Sequence, residues 1–458
     1  MNINHTFQYL QMGLPERINR KKLFGDFEGA LQDMESYLLT PDLPDAMRHC
    51  LTTEAEMLRR LPSDFPYTRE EALAVARKEV PDFSEEEFDQ LERKFRIRWI
   101  YQNGEKRYFD RFFENLCRTD PEMAGRAGKE TAPRNGRYFQ EAIEAMHRDG
   151  KAEKRFYCRS SVQLKDEGFR KGAVVRAYLP IPCACDSQTE IRIEKVTPVP
   201  MYISPENAPQ RVVFWEETME KNHPFEVEFS YIRTAVYKEL FANPEKTSVF
   251  VPESEKQWLR EQAPHILFTP YIRELMRTLG DGAETPLEKA RRFYDFVTMK
   301  VRYSFMPAYF SQESIAENCA RNLTGDCGVQ TLLFITLCRC AGIPAKWESG
   351  WAAEPGFCGA HDWARFYVEP YGWLYADVSY GGDAAQRGDE KRRVHYFGNL
   401  DPYRMTANTE FQADFDVSKD GWRADPYDNQ VGEMELDGRG LQYSEFIRKK
   451  EVLECSDL

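Results

Sequence analysis

Apolar residues recur three and four positions apart through the first 150 residues. Phe27, Leu31, Met34, Tyr37 and Leu38 share one helical face, and Met57, Leu58 and Leu61 continue the pattern. Ser84 followed by three glutamates predicts a helix start with a capping box, the helix carrying Phe88, Leu91 and Phe95. Next come two strand-like runs, Ile97 to Gln102 and Glu105 to Phe109, divided by Asn103-Gly104. That dipeptide favours the positive φ angles of a tight hairpin turn. A helical domain over 1–150, ending in a winged-helix-like hairpin, is expected.

Residues 120–150 are polar and read as a linker with a short helix near Tyr138 to His147. From about 153 to 240 the period changes to two. Phe225, Val227, Phe229 and Tyr231 alternate with Glu226, Glu228 and Ser230. Five or six such strands predict a β-sandwich over 151–250, and no chemistry is legible in it. After 255 the helical period returns. Thr285-Pro286-Leu287-Glu288 opens a helix with proline at its first position.

The densest apolar run follows Gly325-Asp326-Cys327. Val329, Leu332, Leu333, Ile335 and Leu337 leave no polar stripe, so this helix is predicted to be buried, ending at Gly342 and Pro344. Cys327 then stands at a helix N-terminus, where unpaired N–H groups and the helix dipole favour a thiolate and can bind an oxyanion. Downstream, Ala360 to Val368 and Trp373 to Ser379 read as two strands around a turn at Glu369-Pro370-Tyr371-Gly372. A hairpin centred on 370 sets 363 opposite 377, which places His361 diagonal to Asp377 on one face. A carboxylate there would fix the imidazole tautomer. Cys319, Cys338, Cys340 and Cys358 are expected to be packing residues and His395 a surface histidine. The C-x-C pairs at 338–340 and 183–185 lack the spacing of zinc sites. Residues 381–440 read as a polar loop region, either a wall of the cleft or a surface connection.

Three blocks of residues resemble the transglutaminase-like superfamily, of papain-like fold, in its microbial branch. Gly325-Asp326-Cys327 with its helix is similar to the family's nucleophile block, His361-Asp362-Trp363 to its histidine block, and Gly372 to Asp377 to its aspartate block. The resemblance covers roughly 265–385. It implies catalytic roles for Cys327, His361 and Asp377 and an activity on amides. Animal transglutaminases carry Gln before and Trp after the cysteine, whereas this chain has Asp326 and Gly328. No acidic loop resembles their calcium sites. Hydrolysis by a thiol enzyme is therefore expected before protein-glutamine transamidation or a non-catalytic binding role. Tyr303, Tyr309 and Gln312 are candidates for the second oxyanion contact. The expected class is α+β and multidomain: helical domain 1–150, β-sandwich 151–250, and transglutaminase-like cysteine-enzyme domain 251–458.

Composition narrows the partners. Of 458 residues, 62 are Lys or Arg and 75 Asp or Glu, a formal charge of −13. Such a field disfavours anionic surfaces. The hairpin segment 84–115 has seven basic and eight acidic side chains, so no basic stripe supports nucleic-acid binding. No apolar run suggests a membrane span, and the first twenty residues lack a secretion signal. Eleven irregularly spaced cysteines then suggest reduced thiols and a cytoplasmic location. The expected partner is a peptide or protein amide, with no nucleic acid, membrane or cofactor. Oligomeric state is not legible.

Overall fold

The computed structural model describes residues 3–129, 137–241, 247, 248 and 250–458. It is a mixed α and β architecture in several layers. The N-terminal region is helical: Phe27–Leu38, Asp45–Asp64, Arg69–Glu79 and Glu85–Arg93 precede the hairpin. Ser84 accepts a hydrogen bond from Glu87 N at 3.0 Å, so it caps its helix. The reciprocal half of the expected box is missing, because the Glu87 carboxylate pairs with Arg126 instead. Strands Trp99–Gln102 and Glu105–Tyr108 pair antiparallel around Asn103-Gly104, both at positive φ. Much of the segment predicted to be a linker is helix, Pro121–Arg126 and Arg137–Asp149, and its centre, 130–136, lies outside the described residues.

Two antiparallel sheets follow. One holds strands Lys151–Leu164, Phe225–Val236 and Gln188–Thr197; the other holds Val174–Pro180, Val212–Thr218 and Tyr202–Ile203. Their inward residues, among them Phe156, Val175, Trp215 and Phe229, share one apolar core. The chain returns to both sheets at its end. Glu433–Leu436 pairs with Val174–Pro180, and Phe446–Asp457 pairs along Lys151–Leu164. The strands past 430 alternate weakly in sequence and are held by long-range pairing.

The remaining sheet carries the site. Its order is Phe397–Gly398, Gly372–Ala376, Phe357–Val368, Ala345–Glu354 and Arg404–Asn408. Helix Cys327–Cys340 packs across it, with Phe334 edge-on to Phe366 at 5.7 Å between ring centroids. Helix Pro286–Lys300 packs against helix Cys327–Cys340 in the same core; Thr285 and Glu288 form its capping box. The N-terminal helices grip the loop that precedes helix Cys327–Cys340. Asn115 donates to Phe305 O at 3.0 Å and accepts from Phe305 N at 2.7 Å, and Asp64 accepts from Ala308 N at 3.0 Å. Among the described residues, no helix is long and apolar enough to cross a membrane.

Candidate active site

Cys327 is the first residue of the helix, as its sequence context predicts. Asp326 caps that helix by accepting from Val329 N at 3.2 Å, and Tyr309 donates its hydroxyl to the same carboxylate oxygen. Gly328 is required by close approach: a Cβ there would lie 2.4 Å from Tyr309 Oη and 2.8 Å from Trp347. The tryptophan found after the cysteine in animal transglutaminases could not fit. Tyr303, paired with Gly325 by a parallel bridge, reaches the cleft beside Cys327. Of the oxyanion candidates, Tyr309 is committed to Asp326 and the Gln312 amide to Pro307 O at 2.7 Å, which leaves Tyr303.

His361 lies on the strand beside the helix start. The hairpin register sets Ala364 opposite Ala376, the alignment read from sequence, and brings His361 Nε2 to 2.7 Å from Asp377 Oδ2. Asp377 is fully buried and caps helix Val378–Gln386 through Tyr380 N at 2.9 Å. Burial pushes its carboxyl up, but the His361 imidazole and the Arg404 guanidinium outweigh burial and hold it at about 2. An ionised Asp377 can only accept, so Nε2 carries the ring proton and Nδ1 keeps its lone pair. Arg404 Nη2 donates to Asp377 at 2.9 Å and to Asp401 at 3.0 Å, both pairs buried. The Tyr380 ring lies 4.5 Å from the imidazole, with the Arg404 guanidinium 4.3 Å over it. Arg404, Asp401 and Tyr380 escaped the sequence reading, since nothing local marks a residue that acts across a sheet.

The thiol itself departs from expectation. Its proton goes to Asp362 Oδ2 at 3.1 Å, on the residue next to the histidine. Burial, then the Asp362 and Asp326 carboxylates, push the Cys327 thiol well above its ordinary range. The helix dipole favours the thiolate, but burial and the neighbouring carboxylates oppose it more strongly. Burial and the hydrogen bond to Asp362 thus favour the thiol over the thiolate.

Cys327 and His361 open onto one cleft of about 1550 Å³. Its walls include Arg118 from the N-terminal region, Ile143 from helix Arg137–Asp149, and Arg392 from the segment after Asp377. The region 381–440 is thus largely buried rather than a surface connection. It holds helix Glu390–His395 and strand Arg404–Asn408. His395 is also buried, with Nδ1 3.4 Å from His147 Nε2. Cys319 and Cys338 are buried in the main core, while Cys340 and Cys358 are half-buried at the edges of the two large cores. Among the described residues no group of three His, Cys, Asp or Glu side chains could hold a metal ion.

Residues 273–378 match the family model of the transglutaminase-like superfamily. The transglutaminase-like segment runs from helix Pro270–Gly280 to Val378 and so includes Cys327, His361 and Asp377. Among solved structures, a candidate cysteine protease of Cytophaga hutchinsonii is 14% identical, covering 67% of this chain and 91% of its own, at a TM-score of 0.45. The periplasmic domain of TgpA from Pseudomonas aeruginosa is 12% identical, covering 56% and 96%, at a TM-score of 0.29. No curated protein matches the chain.

Proposed function

We propose that the protein is a thiol amide hydrolase acting on peptide, isopeptide or glutaminyl bonds, with Cys327, His361 and Asp377 as its triad. The observation that carries this is the fixed imidazole. Asp377, itself clamped by Arg404 and Tyr380 N, holds Nε2 at 2.7 Å and so leaves Nδ1 as the ring nitrogen available to a helix-start cysteine that lines the same cleft. In the reaction the Cys327 thiol passes its proton to His361 Nδ1 as the sulfur adds to the amide carbonyl, and the backbone N–H at the helix start and Tyr303 receive the oxyanion. His361 gives its proton to the leaving nitrogen as the C–N bond breaks and a thioester forms. Water then adds, with His361 taking its proton, and the acid product leaves with the thiol restored.

In this reading 251–458 is the catalytic unit, 1–150 is one wall of its cleft, and 151–250 is a β-sandwich completed by Glu433–Asp457. Eleven free cysteines support a reducing, cytoplasmic setting. Peptide-library profiling of the wild type against Cys327→Ala tests the reading. The library should be cleaved by the first protein alone. Incorporation of an added amine in place of release would instead make it a transamidase. No turnover of any library by the folded wild type would leave a binding protein that retains the fold.

A further inference from the structure

Behind the nucleophile lies a chain of buried polar groups that the triad does not use. The Cys327 thiol donates to Asp362 Oδ2 at 3.1 Å, and the other oxygen of Asp362 accepts from the Gln430 amide. That same amide donates to Asp428 at 2.6 Å, which also accepts from Ser349 at 2.5 Å; Ser349 in turn accepts from Asn408 at 3.0 Å. Asp362, Ser349 and Asn408 are at most 4% exposed, and Asp428 is 5% exposed. Gln430 supplies only donors to the two carboxylates and no charge. Neither carboxylate has a Lys or Arg within ion-pair distance among the described residues.

We infer that Asp362 is a positioning residue that decides whether Cys327 can ionise: as a carboxylate it holds the sulfur as a thiol, and as an acid it donates to the thiolate. Asp362 Oδ2 and Sγ are close enough to share one proton. Two negative charges 3.1 Å apart in a buried site are strongly disfavoured. When Asp362 carries a proton of its own, the thiol proton is free to pass to His361, and the resulting ion pair is supported from both sides. Burial, and then Asp428, push the Asp362 carboxyl well above the ordinary carboxylate range, which makes its acid form accessible.

Other charges face this pair. Asp326 lies at the helix start, pushed up to about 6 by burial, with Arg98 of the N-terminal hairpin near it. Tyr303 and Tyr309 approach from the preceding loop, and His361 and Cys358 come from the strand of Asp362 itself. Asp425 and Asp428 come from the segment behind, and Lys450 and Arg448 from the C-terminal strand. Lys450 is the one of these cations that acts on Asp362 and Cys327 together, and burial has lowered it to about 8. The inference deepens the proposed function and rests on Cys327 as the nucleophile. Alkylation, however, reads thiol ionisation whether or not an amide is turned over.

The test is the rate of Cys327 modification by iodoacetamide between pH 5 and 9, followed by mass spectrometry with the other ten thiols as internal standards. In the wild type the Cys327 rate should fall as pH rises, opposite to the ordinary thiols. Asp362→Asn keeps an acceptor for Gln430 and places a donor toward the sulfur. It should abolish the fall and react ~10-fold or more faster at pH 8, each unit of thiol pKa being tenfold in thiolate. Asp326→Asn retains a helix cap and should still show the fall. A wild-type rate that rises with pH, an Asp362→Asn profile identical to wild type, or loss of the fall in Asp326→Asn would each overturn the inference. If Asp362→Asn does not fold, the wild-type and Asp326→Asn profiles decide it.

Discussion

At the scale of single residues, small geometric demands set the chemistry. Gly328 follows Cys327 because its missing Cβ lets Tyr309 reach Asp326 and lets Trp347 close over the helix start. Gly328→Ala should therefore displace Tyr309, cost about 1–3 kcal/mol in stability as an overpacked site does, and reduce turnover. Urea unfolding and kcat measured on one preparation check both. Asp377→Asn keeps the shape of the carboxylate but can turn its amide toward His361 and favour the wrong tautomer. Its kcat should fall by roughly 10²–10⁴ with KM little changed. The pairing of His361 with Asp377 and the place of Cys327 at a helix start were legible in the sequence. Asp362 as the thiol's partner was not, because which neighbour of a strand histidine meets a helix start depends on how helix and strand meet in space.

At the scale of elements, the site is a helix end and a hairpin held by distant parts. The hairpin was readable to the residue, since a turn at 369–372 and strict alternation on both arms fix the register. The Arg404 strand and the N-terminal grip on Phe305 were unreadable because both are long-range. Asn115 satisfies both backbone groups of Phe305, two residues beyond Tyr303. Asn115→Leu removes two hydrogen bonds and leaves the half-buried Phe305 N–H unpaired, at a cost of about 1 kcal/mol. Because the loop carries Tyr303, kcat should fall while the cleft stays folded, as amide exchange in helix Cys327–Cys340 would show. Arg404→Met removes a cation that lowers Asp377. The carboxyl of Asp377 should rise above its present value of about 2, and the acid limb of kcat against pH should move upward.

At the scale of the whole molecule, the chain crosses between layers more often than its pattern suggests. The periodicity of 153–240 located a strand region, but its last members come from beyond residue 430. The strand Phe446–Asp457 pairs with Lys151–Leu164 over nearly its whole length. Removing 446–458 should expose the Lys151–Leu164 edge and yield aggregated protein, as light scattering after expression would report. The layers also share buried histidines. His265, between Ile315 N and the Tyr427 hydroxyl, is lowered by burial to about 3, and His395 is lowered to about 3 by burial and then by His147. Unfolded, each binds a proton near pH 6.5; folded, only near 3. The unfolded chain thus binds more protons between those limits, and stability falls as pH drops through them. The fall is about 1.4 kcal/mol per pH unit per histidine. Urea midpoints should decline from pH 6.5 to 4.5, and His265→Gln should flatten that decline.

The central claim is that the Cys327 sulfur becomes acylated by an amide substrate. The direct measurement is intact mass spectrometry of the enzyme quenched in acid during turnover of a cleaved library peptide, followed by mapping of the modified residue. A thioester on Cys327 whose added mass equals the acyl portion of the substrate is expected. It should accumulate further in His361→Gln when an activated ester replaces the amide. A folded wild type that turns over the peptide with no adduct, an adduct on another thiol, or undiminished turnover by Cys327→Ala would contradict it.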